Sequence, residues 1–133
     1  MLEQYPNDVK LVSKNFPLTR IHKVAMNASV AALAANQQDK FWAFHSELFK
    51  NYNKLSNAKI DEIAQSLGLN MEQFKQDMKN PALSSLVQRD LKDGAEAGVR
   101  GTPSIFINGR GLQQRSLPGF KQIIDEELAK KKK

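Results

Sequence analysis

The 133-residue chain contains no cysteine. That absence removes disulfides, thiolate nucleophiles and thiolate metal sites together. It leaves the redox compartment open, since a cysteine-free chain suits either environment. Long apolar runs are missing too: none approaches the ~20 residues of a membrane-spanning helix. The first residues also lack the basic start, apolar stretch and small-residue cleavage site of a secretory signal. Histidine is scarce. His22 and His45 belong to no His-x-x-x-His or His-Glu-x-x-His pattern, and Glu47, two residues after His45, cannot share its helix face. No Gly-x-x-x-x-Gly-Lys phosphate loop and no Gly-x-Ser-x-Gly elbow occurs. The residues themselves therefore predict no complete catalytic constellation, no metal site and no cofactor.

Charge gives little support to nucleic-acid binding. The formal net charge is +6, and the tail Lys130 to Lys133 carries four of those charges. The body scatters Lys and Arg among Asp and Glu, without one-face clustering or stacking aromatics. A solvated surface with a frayed basic tail is expected, and no nucleic-acid partner. The length suits one domain.

What remains is mostly helical signal. Leu2 to Tyr5 reads as the tail of a helix and Tyr5-Pro6-Asn7-Asp8 as a turn. Val9 to Phe16 begins with strand-like alternation and is closed by Pro17. Thr19 is placed to cap a helix running to about Asn36, with Ile21, Val24, Ala25, Ala28, Ala31, Ala32 and Ala35 at helical spacing. Asp39 is expected to cap a second helix bearing Phe41, Trp42, Phe44, His45, Leu48, Phe49 and Tyr52. This aromatic concentration reads as core. Further helices start at Ser56, at Asn70 with Gln73 as a capping box, and at Pro81, with Gly68 and Gly98 as stops. So many helices between two strand signals imply an inserted helical subdomain over residues 19–97.

The stretch that organises the chain is GVRGTPSIFING, Gly98 to Gly109. Ser104 to Ile107 reads as a strand and Asn108-Gly109 as a hairpin turn, because both residues tolerate positive φ. Pro103 has no N–H for a sheet ladder and belongs at the mouth of that strand. A Thr102–Pro103 bond reaches the cis form at an intrinsic cost of only about 0.5–1 kcal/mol. Arg110 to Arg115 is expected to return antiparallel. Ser116 then caps a last helix with Pro118 in its first turn and Phe120, Ile123, Ile124 and Leu128 as its apolar stripe. Residues 98–129 thus form a special loop, a hairpin and a helix.

Four segments, in order, resemble the DsbA-like branch of the thioredoxin superfamily: KNFPL at Lys14 to Leu18, KFWAFHSELF at Lys40 to Phe49, IAQSLGLN at Ile63 to Asn70, and GVRGTPSIFING. The similarity runs from about Val9 to Leu128. It implies a single α/β domain over residues 1–133, thioredoxin-like with an inserted helical subdomain and mostly helical by content. It also implies thiol–disulfide exchange on extended or unfolded polypeptides, done by a Cys-x-x-Cys pair at a helix N-terminus, which stabilises the thiolate. This sequence has neither cysteine. By the resemblance, the first core strand and the pair fall upstream of Met1, so the chain is expected to be N-terminally incomplete and redox-inactive, with no catalytic residue.

Only the substrate-binding loop carries over. Pro103 matches the family's cis-proline, Thr102 the residue whose backbone pairs with an extended peptide, and Gly101 precedes them. The family works outside the cytoplasm, which implies a periplasmic or extracytoplasmic setting. The absent strand would lie between the Val9 and Ser104 strands, leaving edges that stay exposed, pair directly or recruit a second copy as a homodimer. The alternative function is a non-catalytic peptide-binding or chaperone-like module that uses the cis-proline groove around Thr102 and Pro103. A weaker one is the glutathione-transferase and isomerase branch, where serine replaces the cysteine, though it too uses the absent segment.

Overall fold

A computed structural model describes residues 1–17 and 24–131. Backbone contacts divide the chain into two units, Lys14–Ala97 and Met1–Ser13 with Gly98–Lys133.

The first unit is helical: α1 Ala25–Asn36, α2 Phe41–Lys50, α3 Asn57–Ser66, α4 Met71–Met78 and α5 Pro81–Glu96. α1 buries Ala28, Val30, Ala31, Ala32, Ala34 and Ala35 and packs on all four other helices. A helix apolar on every side belongs at the centre of a bundle, and methyl side chains let its neighbours approach closely. Around it close Phe44, Leu48, Ile60, Ile63, Ala64, Leu69, Phe74, Leu83 and Val87. The Phe44 and Phe74 rings meet with centroids 5.8 Å apart.

The helix starts follow local chemistry. The Ser56 hydroxyl accepts from the Lys59 N–H at 3.1 Å, and the Asn70 side chain accepts from the Gln73 N–H at 3.1 Å. Asn80 accepts from the Ala82 N–H at 2.9 Å, with Pro81 at the first helical position. These side chains satisfy donors that have no partner within the helix. Gly68, at φ +74°, ends α3 as expected.

Several expectations are corrected in this unit. α1 begins at Ala25 after Val24; the expected cap Thr19, together with Ile21 and His22, lies outside the described residues. Asp39 does not cap α2. It sits at φ 59° and closes α1 instead: its N–H donates to the Asn36 carbonyl, and that of Lys40 to Ala35. A left-handed residue just past a helix does this work for the last carbonyls. Finally, the aromatic set is only partly core. Phe44 and Leu48 are buried, whereas Trp42 is 51%, Phe49 66% and Tyr52 70% exposed. At 100° per residue the apolar arc of α2, from Phe44 through Leu48, Phe41, His45 and Phe49 to Trp42, is roughly 160° wide, more than one packed face needs.

The second unit holds a 3₁₀ turn at Leu2–Gln4, β1 Phe106–Ile107, β2 Arg110–Gly111 and α6 Leu117–Lys131. Phe106 pairs with Gly111 and Ile107 with Arg110, antiparallel. The turn residues Asn108 and Gly109 have φ 49° and 82°, the pair of left-handed conformations that matches strand twist. The Leu112 N–H extends the pairing to the Ile105 carbonyl at 2.8 Å. Ser116 accepts from the Gly119 N–H at 3.2 Å, as its expected capping role requires. The Tyr5 hydroxyl donates to Asp125 on α6 at 2.7 Å.

Val9 to Pro17 forms no strand. Leu11 is 52% and Val12 66% exposed. The alternation is there, but a strand exists only by hydrogen bonding to a neighbour, and among the described residues the backbone of Val9–Ser13 has none.

Candidate functional site: the Gly101–Pro103 loop and the hairpin edge

α5 is left through Ala97, and Gly98 turns the chain at φ 85°. Gly101, Thr102 and Pro103 follow as an exposed loop, and the Thr102–Pro103 peptide bond is cis. Two hydrogen bonds pin the loop. The Ser104 hydroxyl donates back to the Gly101 carbonyl at 2.6 Å, and the Arg115 guanidinium donates to the Pro103 carbonyl at 2.9 Å. Two of the three loop carbonyls are therefore engaged. The Thr102 N–H and C=O have no partner among the described residues. An exposed peptide unit with one donor and one acceptor is what an extended chain pairs with when it adds as a strand.

The hairpin continues this geometry. In an antiparallel pair, backbone groups point alternately towards and away from the neighbour. Ile105 and Ile107 face β2, so the N–H and C=O of Ser104 and Phe106 face outward. The side chains alternate in step: Ile105 and Ile107 are half-buried, while Ser104 and Phe106 are exposed. The hairpin is fastened to α6 by Arg110, whose guanidinium donates to Glu126 at 2.8 Å and Glu127 at 3.1 Å. Those hydrogen bonds hold both carboxyls below the usual carboxylate range.

The unit that carries the loop holds no histidine and no cysteine. His45 lies in the helical unit, its ring tilted against Phe49 at 4.7 Å and Phe41 at 5.6 Å and edge-on to Trp42 at 5.5 Å, centroid to centroid. Burial pushes its pKa down. His22 is outside the described residues. Among the described residues no three His, Asp or Glu side chains converge to hold a metal.

The loop residues expected from sequence therefore sit together. The two bonds that fix the loop carried no sequence signal, because Arg115 reaches back twelve positions. The exposed aromatic face of α2 was missed for a different reason: periodicity marks an apolar arc but not how much of it finds a partner.

A family model described as "Thioredoxin" matches residues 1–126. The chain belongs to the thioredoxin family. Among solved structures, this thioredoxin-family chain superposes on a thioredoxin-like oxidoreductase from Silicibacter pomeroyi with a TM-score of 0.69 and 26% identity, over 88% of this chain and 66% of that one. It is 29% identical over 129 residues to "Probable disulfide bond formation protein D" of Bacillus anthracis, covering 92% of this chain and 59% of that protein. It is also 31% identical over 102 residues to "Na(+)/H(+) antiporter NhaA 3" of Salinispora tropica, covering 77% of this chain but only 16% of the antiporter. A second antiporter, NhaA 1 of Mycolicibacterium vanbaalenii, gives 34% over 107 residues and 17% of its length. Within the superfamily the chain is DsbA-like, thioredoxin-fold and mostly helical, with a small two-stranded sheet. No helix among the described residues is long and apolar enough to cross a membrane.

Proposed function

We propose that this chain is the polypeptide-binding portion of a DsbA-family thiol–disulfide oxidoreductase and catalyses no thiol–disulfide exchange itself. The observation that carries the reading is the exposed loop Gly101, Thr102 and Pro103, where two carbonyls are engaged and the Thr102 peptide unit is left to pair. Likeness to a probable disulfide bond formation protein supports the class of partner, extended or unfolded polypeptide. The absence of cysteine leaves no thiolate to attack a disulfide. The reading also includes a homodimer through unpaired strand edges.

An extended peptide titrated into the protein should bind, and Thr102→Pro, which removes the Thr102 N–H, should weaken it about tenfold, one backbone hydrogen bond in a water-poor contact. Insulin reduction should stay at background. Unchanged binding in a Thr102→Pro protein with intact circular dichroism, or turnover of insulin, would refute the proposal.

The second reading, a chaperone-like module, is favoured by the exposed Trp42, Phe49 and Tyr52 on and just after α2. Apolar faces of this kind mark interaction sites. Suppression of client aggregation that is lost in Phe49→Ser with Tyr52→Ser tests it, and suppression that survives the double change would refute it.

A further inference from the structure

The stretch from Ala97 to Ile124 carries the cationic side chains Arg100, Arg110, Arg115 and Lys121, and no Asp or Glu. The carboxylates that follow on α6 engage two of them. Arg110 pairs with Glu126 at 2.8 Å and with Glu127 at 3.1 Å, and Lys121 with Asp125 at 2.9 Å. Arg100 and Arg115 are exposed and make no ion pair among the described residues. The acids of this segment are thus taken up by the hairpin and α6, and the remaining positive charge stands at the loop.

Both remaining cations belong to the Gly101–Pro103 site. Arg100 directly precedes Gly101 in the chain. Arg115 reaches the loop through space: one guanidinium N–H donates to the Pro103 carbonyl at 2.9 Å. That carbonyl is one residue beyond the Thr102 peptide unit, which has no partner among the described residues. A guanidinium presents five N–H donors in a planar fork, and the Pro103 bond uses one. The donors left over match the two oxygens of a carboxylate. The tether to Pro103 also fixes where the charge stands, so less side-chain freedom is lost when an anion binds.

We infer that the polypeptide partner of this loop is acidic, with Asp or Glu side chains beside the stretch that adds at Thr102, paired to Arg100 and Arg115. The inference rests on the reading of the loop as a polypeptide site and names what that polypeptide carries. A phosphate backbone offers no donor to the Thr102 carbonyl. A peptide offers both a donor and an acceptor, and its side chains bring the charge. Arg115 therefore acts twice, holding the loop through its hydrogen bond and sorting partners through its charge.

Titration calorimetry on the full chain tests this with a short extended peptide, N-acetylated and C-amidated so that only side chains are charged. The peptide is made with a pair of Asp residues, with Asn at the same positions, and with Lys there. At about 20 mM salt, where screening is weak, the Asp peptide should bind about fivefold more tightly than the Asn peptide, the effect of two exposed pairs. The Lys peptide should bind more weakly than either. Raising the salt to about 300 mM should bring the Asp and Asn affinities together. Arg115→Lys should keep part of the preference, whereas Arg100→Gln combined with Arg115→Gln should bring the Asp-to-Asn ratio to about one. Arg100→Gln alone, which leaves the Arg115–Pro103 bond in place, should lower the ratio to about twofold if the double variant proves unfolded. Equal affinity for the Asp and Asn peptides at low salt would overturn the inference and leave the reading of the loop intact. A preference that survives the loss of both arginines would overturn the assignment to these residues, and no binding of any of the peptides would overturn both proposals.

Discussion

Asp90 on α5 is a buried charged side chain of the helical unit, 7% exposed. Its Oδ2 accepts from both the backbone N–H and the side-chain amide of Asn15, each at 3.0 Å. Lys14 lies 3.8 Å from the other oxygen, but its ammonium makes a closer pair with Asp93 at 2.8 Å. For Asp90, distance and burial both favour Asn15: the Lys14 side chain is farther away and 53% exposed, so water replaces whatever Asp93 or Asp90 offers it. Asp90→Ala strands the two Asn15 donors and removes two hydrogen bonds to an ionised acceptor. Discounted because Asn15 is half-exposed, this should cost about 2–3 kcal/mol. Asp90→Asn keeps the shape and one acceptor oxygen and should cost about 1 kcal/mol. Urea unfolding, followed by the single tryptophan, Trp42, in the same unit, reads both. In a double-mutant cycle, Asp90 and Asn15 should couple by about 1–2 kcal/mol, whereas Asp90 and Lys14 should show no resolvable coupling. An Asp90→Ala cost below about 0.5 kcal/mol, or a coupling to Lys14 larger than that to Asn15, refutes the reasoning.

Other outcomes follow from single contacts. Gly119 is buried against the Gln114 carbonyl, and a Cβ there would collide with that oxygen; Gly119→Ala should destabilise by about 1–3 kcal/mol, measured as a drop in the urea midpoint without a change in slope. Phe74 is fully buried against Phe44, and Phe74→Ala should cost about 3–5 kcal/mol in the same assay. Burial lowers the His45 pKa in the folded state below its ordinary 6.5. The unfolded chain therefore takes up the proton first, so this part of the stability is complete above about pH 6.5 and is lost as pH falls through the folded value. Comparing unfolding at pH 7 and pH 5, His45→Gln should show a smaller loss than the parent; an equal loss would remove His45 as the cause.

Much of the fold was legible because its determinants are local. The Asn108-Gly109 turn, the Ser56, Asn70 and Ser116 caps, Pro81 and Gly68 each act within four residues of their own position, and each does what its chemistry predicts. What could not be read depends on neighbours distant in sequence. Val9 to Ser13 has strand chemistry, but pairing is a property of two segments. The α2 aromatics have helical spacing, yet Phe44 is buried and Phe49 exposed because the bundle offers contact to one side of the helix only. Asp39 was a fair cap by residue type, but the end of α1 had the prior claim on its backbone. In the loop, Gly101, Thr102 and Pro103 were marked by sequence, whereas their tethers from Ser104 and Arg115 were visible only in three dimensions.

The alanine-filled centre of the helical unit sets a limit on how that unit can change. Ala31, Ala34 and Ala35 are fully enclosed, and a methyl group has no alternative rotamer with which to make room. An enlargement there must displace a whole helix, while the outer shell of Leu, Ile and Phe can exchange volume among its members. Sequence drift in such a bundle will therefore collect at its circumference, with the axis held nearly invariant, and new surface properties can be acquired without rebuilding the interior.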